Sequence, residues 1–216
     1  LTPTYLRIGG VSKDLPEGTE EKIKAFVQAF PDHVKEYETL LTKNISWLKR
    51  TKGVGIISKE DAISWGVTGP TLRGSGVKYD VRKVFPYSSY EEFDFDIPIG
   101  SVGDVYDRYV VRLREMEWSN AIVEQALERL PKGPIIANDP RITLPPKDDV
   151  LQDIAALIRH FKIVSEGFQA PKGEVYASVE ASKGELGFYL VSDGSSHPYR
   201  FRIRTPSFAN LSALPK

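Results

Sequence analysis

Apolar residues recur three and four positions apart through the first quarter of the chain, at Ile23, Val27, Phe30, Val34, Tyr37, Leu41 and Leu48. That is the spacing of one helical face. Pro31 interrupts it: the ring removes a hydrogen-bond donor and crowds the preceding turn, so the pattern predicts a kink or division there, with a second helix from about Asp32 to Lys49 and a stop at Gly53. Lys59 to Gly66 predicts a short helix capped by Ser58. The strongest periodicity runs from about Asp104 to Leu130. There Tyr106, Tyr109, Leu113, Met116, Val123, Leu127 and Leu130 form a stripe whose one polar member is Asn120. This predicts a bundle helix about 40 Å long at ~1.5 Å per residue. A buried Asn in such a stripe sets register at a cost in stability, so Asn120→Leu is expected to stabilise. A further helix is expected from about Asp148 to Ser165, with Leu151, Ile154, Ala155, Ile158 and Phe161 on one face.

From Gly173 the period changes to two. Val175–Glu180, Gly187–Ser192 and Tyr199–Arg204 read as three antiparallel strands joined by turns at Ser182-Lys183-Gly184 and Asp193-Gly194-Ser195-Ser196, and a helix restarts near Pro206. Thr68 to Arg82, with Gly69, Gly74 and Gly76, is too rich in glycine for a regular element and is expected to be a functional or tightly packed loop; Phe85 to Pro98 alternates aromatic and acidic residues, as an extended segment packed on one side would. The fold class is α+β: mainly an α-helical bundle with a small antiparallel three-stranded meander near the C-terminus. Two domains are expected, a helical body with its Gly/Arg-rich loop at 1–172, and the meander with the start of a C-terminal helix at 173–216.

Charge narrows the partners. Lys plus Arg and Asp plus Glu both total 29, so no net field steers the 216-residue chain toward nucleic acid. Its longest apolar runs fall well short of the roughly 20 residues that span a bilayer. There is no Cys, which excludes disulfides and thiolate ligation of a metal or iron–sulfur cluster by this chain. The chain begins at Leu1 with no signal-peptide pattern, and both ends are read as cut from something longer.

Individual motifs have plain readings beside functional ones. Gly69-Pro70-Thr71-Leu72-Arg73-Gly74-Ser75-Gly76 has a phosphate-loop look but lacks the Lys-Ser/Thr ending. Arg73 and Arg82 offer planar guanidinium groups to carboxylates, either as structural ion pairs or as part of a site. Asp104 caps the long helix and Asp107 sits near its positive end; as a metal or acid–base pair they lack a third ligand. His33, His160 and His197 are scattered, and His160 complements a helix C-terminus. Alternation sends Arg200, Arg202 and Arg204 to one face of the last strand, a local basic patch. No nucleophile, zinc or paired-carboxylate signature is present.

Taken in order, Arg7-Ile8-Gly9-Gly10-Val11, Gly69 to Val77 with Tyr79-Asp80-Val81-Arg82, Phe93-Asp94-Phe95-Asp96-Ile97-Pro98 and Gly103-Asp104-Val105-Tyr106-Asp107-Arg108 form a family signature. His160-Phe161-Lys162, Pro171-Lys172-Gly173-Glu174-Val175-Tyr176, Lys183-Gly184-Glu185-Leu186-Gly187 and Leu190-Val191-Ser192-Asp193-Gly194 continue it. The chain resembles the quinone-proximal large subunit (the D subunit) of respiratory complex I (NADH:quinone oxidoreductase), a family related to the large subunit of nickel–iron hydrogenases. Ser182 departs from it, where many members have Pro.

The resemblance implies a peripheral-arm subunit on the cytoplasmic face of a bacterial inner membrane, or the matrix face in mitochondria. It would pack beside the terminal iron–sulfur subunit and the peripheral-arm C subunit, and help form the quinone cavity. This chain would bind no cofactor itself: the cluster belongs to a neighbour and NADH to a distant subunit. The family's quinone-contacting His and Tyr would precede Leu1, so no catalytic or metal residue is expected here and the chain alone would be inactive. As quinone-cavity or subunit-interface candidates it leaves Arg73, Tyr79, Asp80, Arg82, Asp104, Asp107, Arg108, His160, Lys183, Glu185 and Arg200. The alternatives are a hydrogenase-type large subunit and a purely structural helical module.

Overall fold

The structure is a computed structural model and describes residues 5–214. A two-stranded antiparallel ladder, β1 (Leu6–Arg7) with β2 (Gly10–Val11), lies near the start of the described residues. Helices α1 (Thr19–Tyr37), α2 (Ile45–Thr51), α3 (Lys59–Ser64), α4 (Gly69–Gly74) and α5 (Val81–Val84) follow. Then come the long α6 (Val105–Glu128), α7 (Lys147–Gln152) and α8 (Ile154–Ser165), the strands β3 (Gly173–Ala181), β4 (Gly184–Ser192) and β5 (Arg200–Arg204), and α9 (Pro206–Ser212). The three strands form one antiparallel sheet in sequence order, as their alternation and turns predict.

Side-chain caps set most helix starts. Asn44 accepts from the amides of Ser46 and Trp47 at 2.9 and 3.2 Å, Ser58 from Asp61 at 3.0 Å, and Asp153 from Ala155 and Ala156 at 3.0 and 3.2 Å. Each satisfies amides that a first helical turn leaves without a carbonyl. The Asp153 cap also splits the expected Asp148–Ser165 helix in two. The apolar face expected there is turned outward, with Ile154 75% and Phe161 65% exposed, and Ala156 is the buried residue.

Pro31 does not divide its helix. α1 runs through it from Thr19 to Tyr37, winds into a π-turn at Glu38–Thr42, and stops only before Asn44. In an α-helix the amide of residue 31 bonds the carbonyl of residue 27, and proline has no such amide. The Val27 carbonyl accepts instead from Asn120 Nδ2 at 3.0 Å. The polar interruption of the α6 stripe thus supplies the donor that the α1 proline lacks. The expectation that Asn120→Leu stabilises is overturned by the same bond, since the substitution would strand that carbonyl.

Along α6, Val111, Leu113 and Ile122 are buried, whereas Met116 and Val123 are 41% and 40% exposed, so the stripe is only partly covered. The Thr68–Arg82 segment is more regular than expected, because α4 and α5 wind inside it with Asp80 capping α5. Phe85 to Pro98 carries a 3-10 turn at Tyr90–Glu92, with Phe95 and Ile97 buried.

Contacts group the chain differently from element type, and so differently from the expected 1–172 and 173–216. The smaller unit takes the segment ending at Thr19 with Pro131–Val175 and Leu190–Phe201; the larger takes Glu20–Leu130, Tyr176–Tyr189 and the segment from Arg202. In the smaller unit Ile135 and Ile136 extend the β1–β2 ladder, the Val11 amide donating to the Ile135 carbonyl at 3.0 Å. In the larger, Ala62, Val67, Leu72 and Ala213 form a buried apolar cluster, with Ile57, Val77 and Tyr79 against it.

Candidate functional site

Most of the candidates fall into two clusters of the larger unit. The first is built on Arg73, which α4 carries into the interior, leaving it 1% exposed. Its Nε donates to Glu115 of α6 at 2.5 Å, its Nη2 to Glu180 of β3 at 2.9 Å and its Nη1 to the Tyr79 carbonyl at 2.9 Å. Asp80, also 1% exposed, stands 3.7 Å from the same guanidinium and takes a two-pronged bond from Arg82, at 3.0 and 2.7 Å. Arg82 in turn stacks over Phe95, 4.9 Å from the ring centre. One buried cation therefore ties a helix, a long helix and a strand together, and planarity lets it address three directions at once.

Three carboxylates, Asp80, Glu115 and Glu180, share two guanidinium groups, which leaves one negative charge in excess. Burial works to raise the pKa of Asp80, but the bonds and charge of Arg82, with Arg73 behind, hold it below the ordinary aspartate value. Glu180 goes the other way: burial lifts its pKa and Asp80 adds to the lift, against the pull of Arg73. Its second oxygen accepts from the Val81 amide at 3.3 Å, and its own amide donates to the Tyr87 hydroxyl at 2.9 Å.

Glu185 extends the cluster. It accepts from Tyr176 Oη at 2.7 Å and Tyr79 Oη at 3.4 Å; burial and the Glu185 carboxylate push the Tyr176 phenol up to about 12 and raise that of Tyr79 as well. Arg204 donates to the Glu185 carbonyl at 2.8 Å and the Gly66 carbonyl at 2.8 Å. The β3–β4 turn is locked to the start of α4 by glycines at both ends. A side chain on Gly69, whose φ is +69°, would collide with Lys183 and Gly184, and one on Gly184 with Thr68. Lys183 enters through its carbonyl, which accepts from Asn210 at 3.0 Å, while its side chain is exposed. The hairpin fills the space beside the Gly69 loop, where the phosphate-loop likeness would need room.

The second cluster opens α6. Asp104 caps Asp107 at 2.8 Å and accepts from the Gly53 amide at 2.8 Å. One oxygen of Asp107 accepts from the amides of Ser101, Val102 and Gly103 at 2.7, 2.6 and 3.2 Å, and these bonds hold its pKa down although burial opposes them. Arg108 donates to the Gly103 and Gly55 carbonyls at 2.6 and 2.8 Å. The triad fastens two loops to one helix end. His160, in α8, and Arg200, exposed at the start of β5, lie in the smaller unit, outside both clusters.

Glu115, Glu180, Tyr87, Tyr176 and Arg204 were not among the expected residues. Their signals were faint but present: Arg108, Arg112 and Glu115 share a helix face by spacing, and Tyr176 and Glu180 share a strand face. No group of three or more His, Asp or Glu able to hold a metal ion occurs among the described residues, and the sequence has no Cys to ligate an iron–sulfur cluster.

Polar groups spent on one another in this way tie the elements of the larger unit together. Similarity to known proteins gives the family. The family model described as respiratory-chain NADH dehydrogenase, 49 Kd subunit, matches residues 1–216. The NADH-quinone oxidoreductase D subunit of Geotalea uraniireducens is 56% identical over 216 residues, covering all of this chain and 55% of that protein. Its counterpart in Geobacter sulfurreducens is 53% identical with the same coverage, and the C/D 2 subunit of Aquifex aeolicus 51% identical, with 38% of its length covered. The chain belongs to the 49 Kd, or D-subunit, family of NADH-quinone oxidoreductase. It spans about half the length of the D-subunit relatives it matches.

Proposed function

We propose that this chain forms the body of the peripheral-arm subunit of NADH:quinone oxidoreductase that helps shape the quinone cavity. Electrons from NADH, taken up at a distant subunit, reach quinone through an iron–sulfur cluster, and the transfer is coupled to proton translocation. The observation that carries this reading is identity above one half with D subunits along the whole chain. Because this chain has no Cys, the cluster would be held by the neighbouring terminal iron–sulfur subunit. The Aquifex relative, whose name joins C and D, supports the C subunit as a second neighbour. The protein would sit peripherally on the cytoplasmic face of a bacterial inner membrane, or on the matrix face in mitochondria; none of the described helices is long and apolar enough to cross a membrane.

In this role the Arg73 cluster sets the relative positions of α4, α6 and the β3–β4 hairpin, and the Asp104–Asp107–Arg108 cluster sets the loops before α6. The exposed Lys183, Arg200 and Arg202 offer cations to acidic neighbouring subunits. Arg73→Met and Arg108→Met in the full-length gene test it. Both are expected to lower the yield of assembled complex on native gels, or NADH-driven quinone reduction relative to reduction of a water-soluble acceptor. Normal assembly and normal quinone reduction in both variants would overturn the assignment.

A further inference from the structure

Between α1 and α6 of the larger unit runs an open trough of about 390 Å³. Phe26 and Phe30, one turn apart with ring centres 5.3 Å from each other, form one wall; Met116 and Val123 form the other. Phe26 is 59% exposed, and the two α6 residues are the uncovered part of its stripe. Phe26 and Phe30, four apart, and Met116, Ser119 and Val123, three and four apart, give the spacing a third helix needs in order to pack between them, and Ser119 lets a backbone come close.

The trough holds one guanidinium that no carboxylate meets at ion-pair distance among the described residues. Arg112 lines it and donates to the Arg108 carbonyl at 2.9 Å, yet no ion pair joins it to a carboxylate among the described residues. Glu115, one turn further along α6, also lines the trough, but its carboxylate is engaged with Arg73. Burial lowers the pKa of Arg112, against the attraction of Glu115. A guanidinium set among apolar walls is costly once covered unless an anion covers it.

We propose that the trough seats an apolar helix of the same polypeptide, from the part of the protein outside these 216 residues, and that a carboxylate on this helix pairs with Arg112. The relatives supply the material: this chain covers only 55% of the Geotalea protein, so nearly as much polypeptide again must bury its own apolar surface. A tethered segment also competes at high effective concentration against any separate chain.

The test uses the full-length protein inside the assembled complex. A photoreactive benzoylphenylalanine replaces Phe26 in one version and Val123 in another, so that failure of one to assemble leaves the other. After irradiation, mass spectrometry identifies the peptide attached. The expected product is an intrachain cross-link to a helical segment outside residues 1–216. Attachment to a different subunit, attachment to a second copy, or probe consumed by solvent alone each overturns the proposal. Arg112→Glu is then expected to cut the assembled fraction by about tenfold or more, and an acidic-to-Arg change in the captured helix to restore it. Absence of rescue by every acidic position in that helix overturns the pairing.

Discussion

Arg73 and Arg108 lie close together in the same fold and do opposite kinds of work. Arg73 meets carboxylates, Glu115 and Glu180 at bonding distance and Asp80 beyond, in a setting that excludes water. Arg108 meets carbonyls, those of Gly55 and Gly103. The first interaction offsets a large desolvation penalty with charge, so removing one partner leaves unbalanced charge in the interior. The second uses the arginine as a rigid fork of donors, and its loss leaves neutral acceptors that water can partly satisfy. Two arginines in neighbouring motifs therefore differ in what a substitution would expose.

The sharpest way to break this comparison is to truncate both. Arg73→Met leaves Glu115 and Glu180 without their cation, Asp80 keeping Arg82, and is expected to destabilise the full-length protein by ~3–5 kcal/mol, the cost of orphaning a buried charge. Arg108→Met strands the Gly55 carbonyl and leaves the Gly103 carbonyl with the Ile57 amide alone, and is expected to cost about 1.5–3 kcal/mol, the range for hydrogen bonds to a charged group. Urea unfolding midpoints of the two variants rank them; equal losses would mean that charge is not what distinguishes the sites. Lysine sharpens the contrast, since Arg73→Lys keeps the charge but loses the three-way geometry. It should recover part of the Arg73→Met loss, and no recovery would make geometry the whole of the effect.

What was legible in the sequence and what was hidden follow from the range of each interaction. The α6 start was legible because Asp104 and the amide it caps are three residues apart, and the hairpin because alternation and turn chemistry are local. Arg73 stood out as a residue able to bind carboxylates, but its partners lie 42 and 107 positions away, and the local spacing that groups Glu115 with Arg112 and Glu180 with Tyr176 does not say that either meets Arg73. α8 shows a different limit: periodicity identifies an apolar face without saying whether these residues or others cover it.

Pro31 and Asn120 are the instructive pair. Each breaks a local rule, one by placing proline inside a helix and the other by placing an amide in an apolar stripe, and each supplies the reason for the other across 93 positions between Asn120 and Val27. Asn120→Leu is expected to cost ~1 kcal/mol, through the stranded Val27 carbonyl. In a Pro31→Ala background an amide returns to that carbonyl, so the same substitution should cost less. A double-mutant cycle measures this, and strict additivity would show that the Asn120 bond does not compensate for the proline.

The smallest effect expected is one of slope. Glu180 carries a raised pKa in the folded state, so as pH climbs from the ordinary glutamate value of 4.5 through that raised value, the unfolded chain releases its proton before the native one does. Stability then falls with rising pH across the window. Asp80, with its pKa lowered from 3.8, acts in the other direction and in another window, its contribution being lost as pH drops below 3.8 through the folded value. Glu180→Gln keeps an acceptor for Arg73 and removes the titration. Its urea midpoints should lack the decline above pH 4.5 that the native protein shows, while the acid-side loss carried by Asp80 persists. Identical pH slopes in variant and native protein would mean that Glu180 does not carry the excess charge of the cluster.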